Sequence, residues 1–392
     1  MSETINQLTG NWNYPTAVRF GAGRAKEIGA ACKELGMTNP LLITDPGLAS
    51  LPMVQDAVAS CEAEGLKCAV FSEVKPNPVG ENVDAGVKVY HDGGHDGVIA
   101  FGGGSGLDAA KAVALMVGQD GSVFDFEDVG DNWTRVKPEG VAPIVAVPTT
   151  SGTGSEVGRA SVITDMANHV KKIIFHPKML PSIVVADPGL TVGLPPHITA
   201  ATGMDALSHN LEAYCSPFYH PMAEGIAIEG IRLVKEYLPA ATKDGTDLVA
   251  RSQMMAASTM GATAFQRGLG GMHALAHPLG ALYDAHHGML NAILMPYVLV
   301  RNKDAVSDRL SRLAAYLGLA DASFYGFLGW ILELRKELGI PHDLSALNIS
   351  DEKAELVGKM AVEDPSSGGN PIQLTAAEYT EVFLNAVSGK LD

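Results

Sequence analysis

The chain has 392 residues, of which 46% are hydrophobic and 18% charged, and it carries a formal net charge of −16. That length accommodates two domains with full-sized cores, and that composition excludes a disordered polymer. The acidic balance argues against nucleic acid or an anionic membrane surface as a partner. Cys32, Cys61, Cys68 and Cys215 form no CxxC pair and no zinc spacing, which predicts reduced thiols inside the cell. No basic start with an apolar centre and a cleavage site opens the chain. Every apolar stretch breaks well short of the ~18 residues of a membrane span, so a cytoplasmic location is expected.

In chain order, the first half alternates helix-like and strand-like segments. Arg24 to Leu35 has a helical pattern, Leu41 to Thr44 reads as a strand, and Met53 to Glu64 as a helix. Lys67 to Phe71 is strand-like, Asn82 to His91 helical, and Gly97 to Phe101, Val141 to Val147 and Ile183 to Ala186 are further strands. Apolar strands without polar alternation, separated by helices, predict a parallel sheet covered on both faces. After Leu194-Pro195-Pro196 helical runs dominate, at Ile198 to Tyr214, Pro221 to Leu238, Asp247 to Phe265 and Ser323 to Leu338. The pattern predicts an α/β domain over residues 1–190 and an all-helical domain over 191–392.

Two loops follow strands in the first domain. Gly102-Gly103-Gly104-Ser105-Gly106-Leu107 opens a helix; its glycines let backbone N–H groups approach phosphate oxygens beside a favourable helix dipole. It is neither the Rossmann fingerprint, because Leu107 stands at the third glycine, nor a Walker A loop. Pro148 to Val157, with Thr149 and Thr150, supplies hydroxyls that can line a cofactor or bond their own backbone. Together the loops predict a dinucleotide at the carboxyl edge of the sheet. Asp45, at the end of the first apolar strand, either accepts from a ribose hydroxyl or forms a plain Asp-Pro-Gly turn.

In the second half, Asp205 and His209 are spaced i, i+4, which puts both on one helix face. His273 and His277 repeat that spacing, and His286 and His287 follow. Imidazoles with one carboxylate suit Fe²⁺ or Zn²⁺ rather than an all-oxygen cage. Spacing leaves open which two of His273, His277, His286 and His287 complete the set. His91, His95, His169, His176, His197, His220 and His342 read as structural.

Taken in this order, the motifs resemble the iron-containing (group III) alcohol dehydrogenase family. The likeness runs from Tyr14-Pro15-Thr16 and Phe20-Gly21-Ala22-Gly23 to Asn370-Pro371, and is strongest at Gly102 to Lys111, Pro148 to Val157, Ala200 to His209 and His273 to Gly288. The resemblance implies a nucleotide-binding α/β domain, a helical metal-binding domain of the dehydroquinate-synthase-like kind, and an active site in the cleft between them. It implies Asp205, His209, His273 and His287 as metal ligands, with His277 beside the metal as a catalytic group. It implies that Gly102, Gly103, Gly104 and Ser105 bind the pyrophosphate of NAD, that Thr149, Thr150 and Lys171 lie along the cofactor, that Asn77 and Pro78 lie near its adenosine half, and that Asp45 meets the ribose. Fe²⁺ is the implied metal, with Zn²⁺ chemically nearly as suited.

Two departures bear on the substrate: His286-His287-Gly288 replaces the family's common Pro-His-Gly, and Phe265-Gln266-Arg267 replaces Phe-Ser-Asn. The expected function is an NAD-dependent alcohol dehydrogenase or aldehyde reductase acting on a small primary alcohol, assembled as a homodimer or larger homo-oligomer. One alternative is a hydroxy-acid dehydrogenase in which Arg267 grips a carboxylate, against Arg267 pairing with a protein carboxylate or helix end. A dehydroquinate-synthase-like lyase would need several phosphate-binding cations, and of Arg232, Lys235, Lys243, Arg251 and Arg267 only the last is close in sequence to a ligand. A purely structural metal would favour a closed, Cys-rich shell.

Overall fold

A computed structural model describes residues 14, 16–168 and 170–391. Residues 1–13, Pro15, His169 and Asp392 lie outside the described set, and with them the opening of the resemblance, the reading of a missing leader and one of the structural histidines. Backbone contacts divide the chain into two compact units, one running up to Leu194 with Thr246–Met255 added, the other Pro195–Gly245 with the chain from Ala256 onward.

In the first unit the chain runs through β1 (Ala17–Phe20), α1 (Ile28–Glu34), β2 (Pro40–Ile43), α2 (Pro46–Ala49), α3 (Pro52–Ala63), β3 (Ala69–Phe71), α4 (Gly80–Asp92), β4 (Gly97–Gly102) and α5 (Gly104–Met116). It continues through β5 (Ile144–Pro148), β6 (Ala160–Asp165), β7 (Val170–Phe175) and β8 (Ile183–Ala186). Six strands pair in the order β1-β8-β5-β4-β2-β3, all parallel. The sheet is apolar on both faces because alternate residues serve different layers. Leu42, Ile99, Phe101, Val145, Val147 and Val185 share a core with Ile28, Ala31 and Cys32 of α1 and Val54, Ala57 and Cys61 of α3. Val98, Ala100, Ala146 and Val184 point to the opposite face and are fully buried, where α5 packs on β4 and β5.

The strand order places the topological switch between β2 and β4, since the chain leaves β2 outward to β3 and returns to β4 on the other side. Ligands of open α/β sheets bind at the carboxyl ends of strands flanking such a point. Here those ends carry Asp45 and Gly102.

The helical unit comprises α6 (Pro196–Cys215), α7 (Pro221–Lys243), most of α8 (Leu248–Ala264), α9 (Gly271–Tyr283), α10 (His287–Arg301), α11 (Lys303–Tyr316), α12 (Phe324–Glu337), α13 (Ala354–Glu363) and α14 (Ala376–Ser388). Proline at N1 starts α6 and α7. No strand follows Ala186 among the described residues.

Three strands escape a search for apolar runs. β1 is a half-exposed edge strand with Arg19 inside it. β6 and β7 form an antiparallel hairpin, separate from the main sheet, whose Lys171 and Lys172 interrupt the apolar pattern. The segment expected as a strand from Val141 begins at Ile144, after a turn at Pro138–Gly140.

Candidate active site

At the sheet's carboxyl edge, Gly102 ends β4 with φ +146°, a conformation that favours glycine, and Gly103 caps α5. Gly104 is equally constrained by space, since a Cβ there would lie 2.5 Å from Thr153 Cγ2. The thirteen-residue α5 therefore starts on bare backbone, as an anion site at a helix N-terminus needs. The Ser105 hydroxyl donates to the Pro76 carbonyl, and the Thr149 N–H donates to the Gly102 carbonyl at 2.9 Å, so the two predicted loops touch. Thr150 lies against Gly103, its Cγ2 3.2 Å from where a Cβ would stand. Lys171 Nζ donates to Asn77 Oδ1 at 2.8 Å, and the Thr164 N–H donates to the Pro78 carbonyl at 2.7 Å. Asp45 serves as N-cap of α2, its Oδ1 accepting from the Leu48 N–H at 3.1 Å, while its Oδ2 would be 3.8 Å from a Cβ on Gly102. The turn and the switch-point placement hold together.

Beneath the second loop lies a pair that sequence reasoning missed. Lys111, fully buried, donates from Nζ to the Ser155 carbonyl at 3.0 Å and to the Ala160 carbonyl, with Asp108 Oδ1 at 3.3 Å. Burial pushes its ammonium pKa down, against Asp108 pulling it up. Asp108 in turn accepts from the Ser155 hydroxyl and the Val162 N–H. One turn of α5 thus pins both the loop and the hairpin.

In the helical unit, Asp205 and His209 project from one face of α6, His273 from α9 and His287 from the first turn of α10. Their ligand atoms all lie within 4.8 Å of one another. Asp205, His209 and His273 are 2%, 4% and 1% exposed, so solvent reaches the cluster chiefly at the half-buried His287. His277 and His286 stand outside this group of four. The His277 ring stacks on that of His287, with centroids 5.4 Å apart and planes 12° apart.

The donor set passes a test of fit for a metal. Asn291 Nδ2 lies 2.9 Å from Asp205 Oδ1, 3.2 Å from His273 Nε2 and 3.1 Å from His287 Nε2. An amide NH₂ only donates and carries two hydrogens, so at least two of these three ligand atoms present lone pairs to it. His273 Nδ1 donates to Glu212 Oε2 at 2.7 Å, and Glu212 also accepts the N–H groups of Gly270 and Met272 at 2.8 and 2.6 Å. Burial pushes Glu212 up to about 7, while those N–H donors pull it down. This arrangement leaves His273 Nε2 as the free electron pair, as in carboxylate–histidine–metal sites. Burial, then the neighbouring His209, pushes the His273 pKa well below its ordinary value, so the ring is neutral and ligand-competent. Three imidazoles and one carboxylate suit Fe²⁺ or Zn²⁺.

Of the substrate candidates, Phe265 sits with its ring 5.2 Å from that of His209. Arg267 requires a correction. It is 4% exposed, donates from Nε to the Phe218 carbonyl at 2.7 Å and from Nη1 to the Tyr214 carbonyl at 3.2 Å, and pairs with Glu224 at 3.0 Å. Its guanidinium is committed to protein acceptors, so it does not serve as a substrate-carboxylate anchor; it is the structural pair that was the alternative. His286 is exposed and caps α10, with Nδ1 accepting from the Met289 N–H at 3.3 Å.

Glu212, Asn291 and Asp364, whose Oδ2 lies 2.8 Å from His277 Nδ1, are the site residues that sequence reasoning missed. Glu212 and Asn291 carried a signal: each is a polar residue three or four positions after a ligand, on that ligand's helix face. Asp364 carried none, being 87 residues from its partner.

Comparison with known proteins agrees with this geometry. The model described as "Iron-containing alcohol dehydrogenase" matches residues 15–188, and the one described as "Fe-containing alcohol dehydrogenase family, C-terminal" matches residues 199–387. The chain is 37% identical over 380 residues to the 4-hydroxybutyrate dehydrogenase of Cupriavidus necator, covering 94% of this chain and 98% of that one. Among solved structures it resembles a 1,3-propanediol oxidoreductase, with a TM-score of 0.91 and 34% identity, covering 96% of this chain and 99% of that one. It also resembles the sulfoacetaldehyde reductase of Bifidobacterium kashiwanohense in complex with NAD⁺, with a TM-score of 0.87 and 30% identity, covering 97% and 100% respectively.

Proposed function

The chain belongs to the iron-containing alcohol dehydrogenase family, and from that premise we propose that it exchanges hydride between NAD(H) and a small primary alcohol or its aldehyde. The observation that carries this reading is the convergence of Asp205, His209, His273 and His287 within 4.8 Å, with His273 Nδ1 held by Glu212. A divalent metal, Fe²⁺ or Zn²⁺, supplies Lewis acidity toward the substrate oxygen. The four side chains hold it, and Glu212 keeps His273 in the tautomer that ligates. Phe265 offers an apolar wall beside His209. His277 takes the alcohol proton, or returns it in the reverse direction.

On the nucleotide side, Gly102, Gly103, Gly104 and Ser105 receive the pyrophosphate at the start of α5, and Thr149, Thr150 and Lys171 lie along the dinucleotide. Asn77 and Pro78 border its adenosine half. Asp45 accepts from a ribose hydroxyl and repels a 2′-phosphate. The protein's contribution to hydride transfer is placement of the two partners.

A hydroxy-acid substrate has support from the name of one relative, 4-hydroxybutyrate dehydrogenase, but loses its anchor because Arg267 binds Glu224. We therefore favour an uncharged alcohol. NADH formation with butanol, propanediol, glycerol and 4-hydroxybutyrate tests the choice: the uncharged alcohols should show the higher kcat/KM, and a clear preference for the hydroxy acid would reverse it. No helix among the described residues is long and apolar enough to cross a membrane. A cytoplasmic enzyme fits its four free cysteines, and a homodimer or larger homo-oligomer is part of the same proposal.

A further inference from the structure

We propose that Asp364 is a positioning residue that holds His277 in the one tautomer able to accept the substrate proton; the inference rests on the reading of His277 as the proton acceptor. The two side chains are 9% and 10% exposed, and His277 Nδ1 lies 2.8 Å from Asp364 Oδ2. A carboxylate only accepts, so Nδ1 carries the hydrogen and Nε2 the lone pair. Alcohol oxidation then proceeds with breaking of the substrate O–H bond and formation of Nε2–H, while the hydride leaves the carbinol carbon for NAD⁺. The resulting imidazolium faces the Asp364 charge, and its proton passes on to solvent.

Asp364 is itself held rigidly. It caps the turn Pro365–Gly369, with Oδ1 accepting from the Ser366 N–H at 2.8 Å. That turn is fastened by the Ser367 hydroxyl to Tyr379 at 2.9 Å, and the adjoining Asn370 accepts the Gly271 N–H that opens α9. Oδ1 therefore takes the Ser366 N–H and Oδ2 the His277 ring, and the Ser366 hydroxyl adds a further hydrogen bond to the carboxylate.

This division makes the test asymmetric. In Asp364→Asn the capping position requires an oxygen toward Ser366, and asparagine caps as well as aspartate. The NH₂ must then face His277 Nδ1, which inverts the tautomer and puts hydrogen on Nε2. Asp364→Ala loses the cap but leaves His277 free to choose. If Asp364 positions His277, kcat should fall by about a hundredfold or more in Asp364→Asn, with KM and metal content nearly unchanged. It should fall less in Asp364→Ala, and Asp364→Asn should cost nothing further in a His277→Ala background. Nitrogen NMR of the Zn²⁺-loaded protein, with His277 assigned by its loss in His277→Ala, gives a readout independent of turnover. It should show a protonated Nδ1 in the unmutated protein and a protonated Nε2 in Asp364→Asn. A near-normal Asp364→Asn with a poorer Asp364→Ala would make Asp364 a cap only and overturn the inference, as would an unchanged tautomer. Full activity of His277→Ala would instead remove the proton-acceptor reading on which it rests, and the inference with it.

Discussion

Each of the four predicted ligands contributes one donor to a cluster that is mostly buried, so its loss cannot be compensated by solvent. His273→Ala should cost the most, because it removes a ligand and also leaves the Glu212 carboxylate facing an empty space at a fully buried site. Metal content after dialysis against Fe²⁺ or Zn²⁺ should fall at least about tenfold in His209→Ala, His273→Ala and His287→Ala, since loss of even an outer partner of a ligand costs roughly 10–100-fold in affinity. His277→Ala should keep its metal and lose rate. Retention of metal by His273→Ala, with loss in His277→Ala, would show that the ligand register is misassigned. On the nucleotide side, Asp45→Gly should raise kcat/KM for NADP by about tenfold, equivalent to ~1.4 kcal/mol. Equal use of NAD and NADP by the unmutated protein would remove the role given to that carboxylate.

Helix packing sets where those side chains meet. α10 crosses α6 at Gly288, where a Cβ would lie 2.5 Å from the Ala201 carbonyl oxygen and 3.1 Å from Asp205 Cβ. Backbone cannot yield there as a flexible side chain could. Gly288→Ala should push α10 away from α6, carry the adjacent His287 from Asp205, and destabilise by about 1–3 kcal/mol. Calorimetry and metal analysis should show both losses together; a variant with unchanged metal content would mean that the helices repack without moving His287. The same scale explains what was legible from sequence. β2, β4, β5 and β8 are continuous apolar runs because both sheet faces are covered, and the Gly102 loop and the i, i+4 ligand pair are local patterns. β6 and β7 were missed because Ser161, Thr164, Asp165, Lys171 and Lys172 break their apolar runs in a hairpin outside the covered sheet. The helical period puts Glu212 on the ligand face of its own helix, but its contact with His273 on another helix, and that of Asp364 with His277 from a distant turn, depend on packing between segments. Arg267 was ambiguous for the same reason, its partner Glu224 lying on α7.

For the molecule as a whole, a metal that binds the folded site and not the unfolded chain adds stability by mass action, about 2.7 kcal/mol at a hundredfold excess over Kd. Chelation should therefore lower Tm and abolish turnover together, and Fe²⁺ or Zn²⁺ should restore both. Membership of an alcohol dehydrogenase family makes small-molecule alcohols the partners to test first. The most direct measurement is NADH production from butanol and NAD⁺ by the chelated, the Fe²⁺-reconstituted and the His273→Ala protein, side by side. The account predicts turnover only in the reconstituted unmutated protein. Turnover that persists without metal or in His273→Ala, or its absence with every alcohol and aldehyde tried after reconstitution, would contradict a metal- and NAD-dependent alcohol dehydrogenase built on Asp205, His209, His273 and His287.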